Sequence, residues 1–254
     1  MNADFSSKVV MVTGASRGIG REIARQFADH SARVVVHFHK NRKAAKQTLA
    51  ELSGDSHLIV QTDLSDAAAV DNMTEKTIQK MGKIDVLVNN AGVYEFHPIA
   101  TTTFEEWQCS WEKTILTNLV GPAHLSFHVA RYMMKSGGGK IINITSRGAF
   151  RGEPNAPAYG ASKAGLNAFS QSMAQALAVH NIFVYAVAPG FVETDMSASL
   201  LSGPKGDAIR AQSPLNRAAH PEEVARVVLF LATEGTDYLT GCIIDVNGAS
   251  YLRT

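Results

Sequence analysis

Seven short runs rich in valine and isoleucine, largely apolar along their whole length, recur at residues 8–13, 33–38, 57–61, 84–88, 140–145, 183–188 and 242–246. Such strands need cover on both faces, which a parallel sheet between layers of crossover helices provides. The intervals carry the matching signal. Ile19, Ile23, Ala24 and Phe27 follow the first run at helical spacing, and helices are expected at about 41–52, 66–81 and 104–135, around Tyr159, and from Pro221 onward. Gly137-Gly-Gly139 breaks the longest helical stretch before the fifth strand. The alternation predicts an α/β fold: a doubly wound parallel sheet with helices on both faces, spanning 1–254 as a single domain. A chain of 254 residues, 45% hydrophobic, suits one core of that size.

In such sheets ligands bind at the carboxyl ends of the strands. The turn Thr13-Gly-Ala-Ser-Arg-Gly-Ile-Gly20, the stretch Asn89-Asn-Ala-Gly92, Ser146 and Pro189-Gly190 each follow a strand directly and so converge on one rim. Gly14, Gly18 and Gly20 form G-x-x-x-G-x-G, close to a dinucleotide fingerprint but spaced differently. A glycine turn opening a helix offers backbone N–H groups and a helix dipole to a pyrophosphate, which makes the expected fold a Rossmann domain with a cofactor half at about 1–135 and a catalytic and substrate half at about 136–254. An NAD site ordinarily carries an acid after the second strand, for the ribose hydroxyls. Here that stretch reads Val36-His-Phe-His-Lys-Asn-Arg42. Arg17, His37, Lys40 and Arg42 would instead hold a 2′-phosphate through charge-assisted bonds of about 1.5–3 kcal/mol each, so NADP(H) is expected in preference to NAD(H). Asp63 would bond the adenine amino group, and Asn89 to Gly92 would line the adenine ribose.

Tyr159 and Lys163 lie four residues apart and share a helix face. A phenol working near neutral pH must fall by roughly 3 pKa units from about 10, a matter of about 4 kcal/mol. One cation roughly 4 Å away at an effective dielectric of about 20 supplies that much. Two rival chemistries have weaker signatures. Gly14-Ala-Ser16-Arg-Gly18 matches a hydrolase nucleophile elbow, but it follows the first strand and has no evident Asp and His partners. His124 and His128 resemble half a zinc site, yet Leu125 stands where a general base would be and no third ligand is apparent. No metal site is expected.

The joint set of Thr13 to Gly20, Asp63, Asn89-Asn-Ala-Gly92, Asn118, Ser146, Tyr159, Lys163 and Pro189-Gly190 resembles the short-chain dehydrogenase/reductase family over nearly the whole chain. Within it the chain looks most like the 3-oxoacyl-[acyl-carrier-protein] reductase branch. The resemblance implies an oxidoreductase that interconverts a carbonyl and an alcohol. Tyr159 would be the proton donor or acceptor, Lys163 would lower its pKa and hold the nicotinamide ribose, Ser146 would bond the carbonyl oxygen, and Asn118 would hold a relay water. The implied cofactor contacts are Gly14, Ser16, Arg17, Gly18, Ile19, Gly20, His37, Asp63, Leu64, Asn90, Ala91, Gly92, Tyr159, Lys163, Pro189, Gly190, Val192 and Thr194. A homotetramer packed through the Tyr159 helix and the long helix before it is implied as well.

Two departures bear on the substrate. Gly137 and Gln175 stand where the carrier-protein branch carries basic residues, which favours a free or CoA-bound acyl thioester over one delivered by a carrier. Gln108-Cys-Ser-Trp111 reads as an extra helical turn. A sugar, steroid or small-alcohol dehydrogenase, or a nucleotide-binding sensor without catalysis, are the alternatives. Arg147, Arg151 and Glu153 adjoin Ser146; an Arg147–Glu153 ion pair, or an anionic substrate met by the arginine, would explain them. Residues 193–217, rich in Ser, Gly and Pro, are expected to form a lid. The 24 basic and 23 acidic residues, spread along the chain for a net charge of +1, give no footprint for nucleic acid or an anionic membrane. No run approaches the ~18 apolar residues of a membrane span, the start lacks an apolar signal core, and Cys109 and Cys242 have no paired spacing, so a cytoplasmic location is expected.

Overall fold

The structure, a computed structural model, describes residues 4–253. Strand and helix alternate as β1 (Val9–Val12), α1 (Gly18–Asp29), β2 (Arg33–Phe38), α2 (Arg42–Glu51), β3 (Leu58–Gln61), α3 (Ala67–Met81), β4 (Val86–Asn89), α4 (Phe104–Ile115), α5 (Gly121–Ser136), β5 (Gly139–Ile144), α6 (Gly148–Arg151), α7 (Pro157–Leu177), β6 (Ile182–Pro189), α8 (Ala198–Ser202), α9 (Gly206–Arg210), α10 (Pro221–Ala232) and β7 (Ile243–Val246). The strands form one parallel sheet in the order β3-β2-β1-β4-β5-β6-β7, so the expected doubly wound Rossmann-like sheet is what the chain builds. The order reverses between β1 and β4, where such sheets open a crevice for a ligand.

The side-chain alternation of a strand divides the core between two faces. Val10 and Val12 of β1 pack with Ile23 and Phe27 of α1 and with Val224, Val228 and Leu231 of α10. Val9 and Met11 point the other way, into Val70 and Met73 of α3, Leu125, Val129 and Met133 of α5, and Ala174 and Leu177 of α7. All four β1 residues are fully buried, which is why the run lacks a polar side.

Helix ends follow their sequence signals. Asp66 caps α3 by accepting from the Ala69 N–H, and Thr103 and Glu106 form a reciprocal capping box on α4. Gly137 ends α5 at φ 95°, a left-handed conformation that other residues adopt at a cost. The single helical stretch expected at about 104–135 is interrupted. A π turn at Leu116–Val120 separates α4 from α5 and carries Asn118 to a fully buried position. π turns of this kind cluster at functional sites. No helix among the described residues is long and apolar enough to cross a membrane.

Candidate active site

At the crevice, Gly14 has φ 63°, and a Cβ there would stand 2.9 Å from the Ala91 Cα, so the β1–α1 turn and the chain after β4 are in direct backbone contact. Thr13 fastens them. Its Oγ accepts from the N–H groups of Asn90 at 2.9 Å and Ala91 at 3.0 Å, while the Asn90 amide donates to the Thr13 carbonyl at 2.8 Å. The N-terminus of α1 at Gly18 has no side-chain cap and no acid in its first turn. Its free N–H groups and positive dipole end suit a phosphate. Thr194, from the chain after β6, closes on this turn, with its Cγ2 3.2 Å from where a Gly18 Cβ would sit. Arg17 and Asp195 approach at 3.7 Å beside it, both largely exposed.

His37 takes a different place from the one expected. It is buried, its Nδ1 accepts from the Gly14 N–H at 3.2 Å, and its Nε2 donates to the Thr62 carbonyl at 3.0 Å. Burial pushes its pKa down to about 4, so the imidazole is neutral and braces the glycine turn instead of meeting a phosphate as a cation. His39 is the histidine of this stretch that stays accessible. Lying two residues on and past the end of β2, it is half exposed and faces Asp63 at 3.3 Å. Lys40 and Arg42 are exposed nearby. Burial pushes the Asp63 carboxyl up, but hydrogen bonds from the Ser65 N–H and hydroxyl, with the charges of His39 and Lys40, outweigh it and leave the pKa lowered. The Leu64 side chain belongs to the core beneath.

The groups expected to react stand on β5, α7 and the π turn. Ser146 follows β5, its Oγ accepts from the Gly148 N–H at 3.0 Å, and its hydroxyl lies near enough to the Tyr159 phenol to lower that group's pKa. Lys163 is 4% exposed and donates to the Ile144 carbonyl at 2.8 Å. Gly92 is where Asn118 and Lys163 meet: a Cβ there would lie 3.3 Å from Asn118 Oδ1 and 3.6 Å from Lys163 Nζ. Asn118 accepts from the Val93 N–H at 2.8 Å and donates to the Val93 carbonyl at 2.9 Å and to Ser162 Oγ at 3.2 Å. Its amide is thus committed to holding the loop after Gly92.

The electrostatics correct a second expectation. Burial pushes Tyr159 up to about 12, and the Ser146 hydroxyl only partly offsets this. Burial also pulls Lys163 down to about 8. Lys163 Nζ is 5.8 Å from the Tyr159 ring centroid, and desolvation outweighs the lowering expected from the ammonium. The Tyr94 ring packs on Tyr159 at 5.0 Å between centroids.

His97 sets the start of α7. Its Nε2 accepts from the Ala158 N–H at 3.3 Å, its Nδ1 bonds the Glu95 carbonyl at 2.8 Å, and its ring packs edge-on against Trp107. The far rim is also tied in. The Arg147 N–H donates to the Pro189 carbonyl and the Gly190 N–H to Val246 O, while Val192 pairs with Ala219. The expected Arg147–Glu153 ion pair does not form. Arg151 faces Glu153 at 3.7 Å, and Arg147 donates to the Gln212 amide oxygen at 2.6 Å.

The family profile for short chain dehydrogenase matches residues 8–205. A 3-oxoacyl-[acyl-carrier-protein] reductase of Synechocystis is 38% identical over 247 residues, covering 96% of this chain and 97% of the relative. The reductase of the same name from Escherichia coli is 38% identical over 249 residues, covering 98% and 99%. Among solved structures, a short chain dehydrogenase from Burkholderia cenocepacia in complex with NADP superposes with a TM-score of 0.89 at 28% identity, covering 97% of this chain and 98% of that one.

Proposed function

This chain belongs to the short-chain dehydrogenase family, and we propose that it is an NADP(H)-dependent carbonyl reductase in which Tyr159 gives the proton. It is an NAD(P)-dependent oxidoreductase by that membership. The observation that supports the finer reading is the gathering of Ser146, Tyr159 and buried Lys163 on the same rim as the uncapped N-terminus of α1.

The residues present fit a dinucleotide. The turn that Gly14 keeps free of a Cβ and the open helix end would take the pyrophosphate. Arg17, His39 and Lys40 would take a 2′-phosphate, Asn90 to Gly92 the adenine ribose, Lys163 the nicotinamide ribose, and Val192 and Thr194 the carboxamide. When bound, the nicotinamide supplies the hydride; position, proton and charge come from this chain.

Ser146 donates to the substrate carbonyl oxygen and fixes its direction. A phenol with a pKa of about 12 holds its proton at neutral pH, which is the form reduction requires. As negative charge grows on the carbonyl oxygen, its basicity rises towards that of hydroxide, with a conjugate acid near 15.7, and the proton moves downhill from Tyr159. The phenolate left on Tyr159 takes the proton back when the reaction runs as an oxidation, since both directions share one transition state. Lys163, charged below about pH 8, stabilises the phenolate left behind.

The proposed substrate is a 3-oxoacyl thioester, free or on CoA. Gln175 is exposed and uncharged, and the left-handed backbone of exposed Gly137 disfavours a basic side chain there. NADPH consumption with acetoacetyl-CoA and with the acetoacetyl carrier protein, at matched concentration, tests this. Turnover is expected with the CoA thioester at a kcat/KM at least equal to that with the carrier, and with a lower KM for NADPH than for NADH. A strong preference for the carrier protein would restore electrostatic docking; no turnover with either would remove the thioester. A homotetramer packed through α4, α5 and α7 is proposed with it; Phe104, Phe127 and Met134 are exposed on α4 and α5.

A further inference from the structure

A cavity of about 140 Å³ is lined by Arg147 and Phe191, by Ser213 and Leu215 of the 193–217 segment, and by Asn247 and Ser250 from the chain after β7. At about 30 Å³ per water it has room for roughly four or five waters, or for a carboxylate of a few carbons. None of Asn118, Ser146, Tyr159 and Lys163 lines it.

Two of its groups lack the partners that burial normally demands. Arg147 is 3% exposed, its guanidinium stands 4.9 Å from the Phe191 ring centroid, and its side chain donates to a neutral amide, that of Gln212. Among the described residues no carboxylate lies within 4.0 Å of it, although two line the same cavity. Those two are engaged: Glu223 by Arg217 at 2.6 Å and Asp245 by Arg253 at 2.7 Å. The second group is the Ser250 hydroxyl, which is buried and has no hydrogen-bond partner. A buried cation without a counter-charge is costly, and a guanidinium presents five N–H donors in a fork that matches a carboxylate.

We propose that this cavity is a carboxylate-binding site in which the ligand accepts hydrogen bonds from the Arg147 guanidinium and the Ser250 hydroxyl. A single cation with no carboxylate within 4.0 Å suits a monoanion. A phosphate dianion would meet Glu223 and Asp245 with only that one charge in its favour. The position also gives binding a consequence. Arg147 follows Ser146 and its N–H holds the Pro189 carbonyl, while the 193–217 segment that helps line the cavity also brings Thr194 to the glycine turn. A carboxylate there ties the loop of the reacting serine to that segment. Its source is either the substrate's own tail or a separate small acid.

Thermal unfolding of the full chain in about 50 mM butyrate, butyramide or sodium chloride tests the site without turnover, so it stands or falls separately from the reductase reading. Butyrate is expected to raise Tm by about 2 °C or more over both controls. Arg147→Gln and Ser250→Ala should lose that shift. Gln212→Glu, which places a carboxylate on Arg147 within the chain, should raise the unliganded Tm and erase the response to butyrate. Should Arg147→Gln not fold, the Gln212→Glu and Ser250→Ala results decide. Butyrate acting no better than butyramide, or a shift that survives in Gln212→Glu, overturns the proposal. The kcat/KM ratio of 4-oxopentanoate to its methyl ester then identifies the source. A preference for the acid of about tenfold that Arg147→Gln abolishes assigns the carboxylate to the substrate, and a butyrate shift with no such preference assigns it to a separate small acid.

Discussion

Lys163 is where stability and function pull in opposite directions. Its pKa falls from 10.5 towards about 8 on burial, a penalty of roughly 3 kcal/mol at neutral pH. Because the folded value lies below the unfolded one, the unfolded chain binds more protons between about pH 8 and 10.5. Stability therefore rises with pH across that window and carries the full cost below it. Lys163→Met is expected to lose activity yet unfold at a higher temperature than the wild type at pH 7, with the gap closing as pH approaches 10.5; a Tm difference that does not change with pH would contradict this. At the same scale the sequence was readable where chemistry and spacing coincide. Tyr159, Lys163 and Ser146 announce themselves through helix periodicity and a strand end. His37 and His39 do not, because residues two apart on a strand share a face and look alike in sequence. Only the end of β2 at Phe38 decides that His37 is enclosed and His39 is free.

Among the elements, the start of α7 depends on a residue outside it. Ala156, which precedes the helix, makes no side-chain cap, and the imidazole of His97 supplies an acceptor to Ala158, the residue before Tyr159. His97→Ala leaves that buried N–H unpaired and opens space against Trp107, a loss of about 1–3 kcal/mol. A fall in Tm of roughly 3–10 °C and a drop of about tenfold in kcat with little change in KM are expected. His97→Gln, whose amide carbonyl offers an acceptor, should recover part of kcat. An unchanged kcat in His97→Ala would remove the positioning role. Alternation and caps made the strands and most helices legible. The π turn at Leu116–Val120 was not, because its neighbours on both sides carry uninterrupted helical spacing and the extra residue shows only in backbone bonding. The cavity beside Arg147 was equally hidden, since it joins Arg147 to Ser213 and Ser250, residues far apart in the chain.

For the whole molecule, the parallel sheet gathers groups from the ends of six strands, β1 to β6, so the residues proposed to react sit on rigid elements while a long segment after β6 reaches over to the glycine turn. Light scattering is expected to give a tetramer; a species of 27.3 kDa would contradict the proposed packing through α4, α5 and α7. This scaffold is proposed to reduce a carbonyl with the Tyr159 proton. The most direct measurement is NADPH consumption with acetoacetyl-CoA by wild type and Tyr159→Phe, with NADPH affinity measured on both. A loss of about 10²–10⁴ in kcat is expected for Tyr159→Phe, with Kd for NADPH held within about threefold. Tyr159→Phe turning over at the wild-type rate would contradict it.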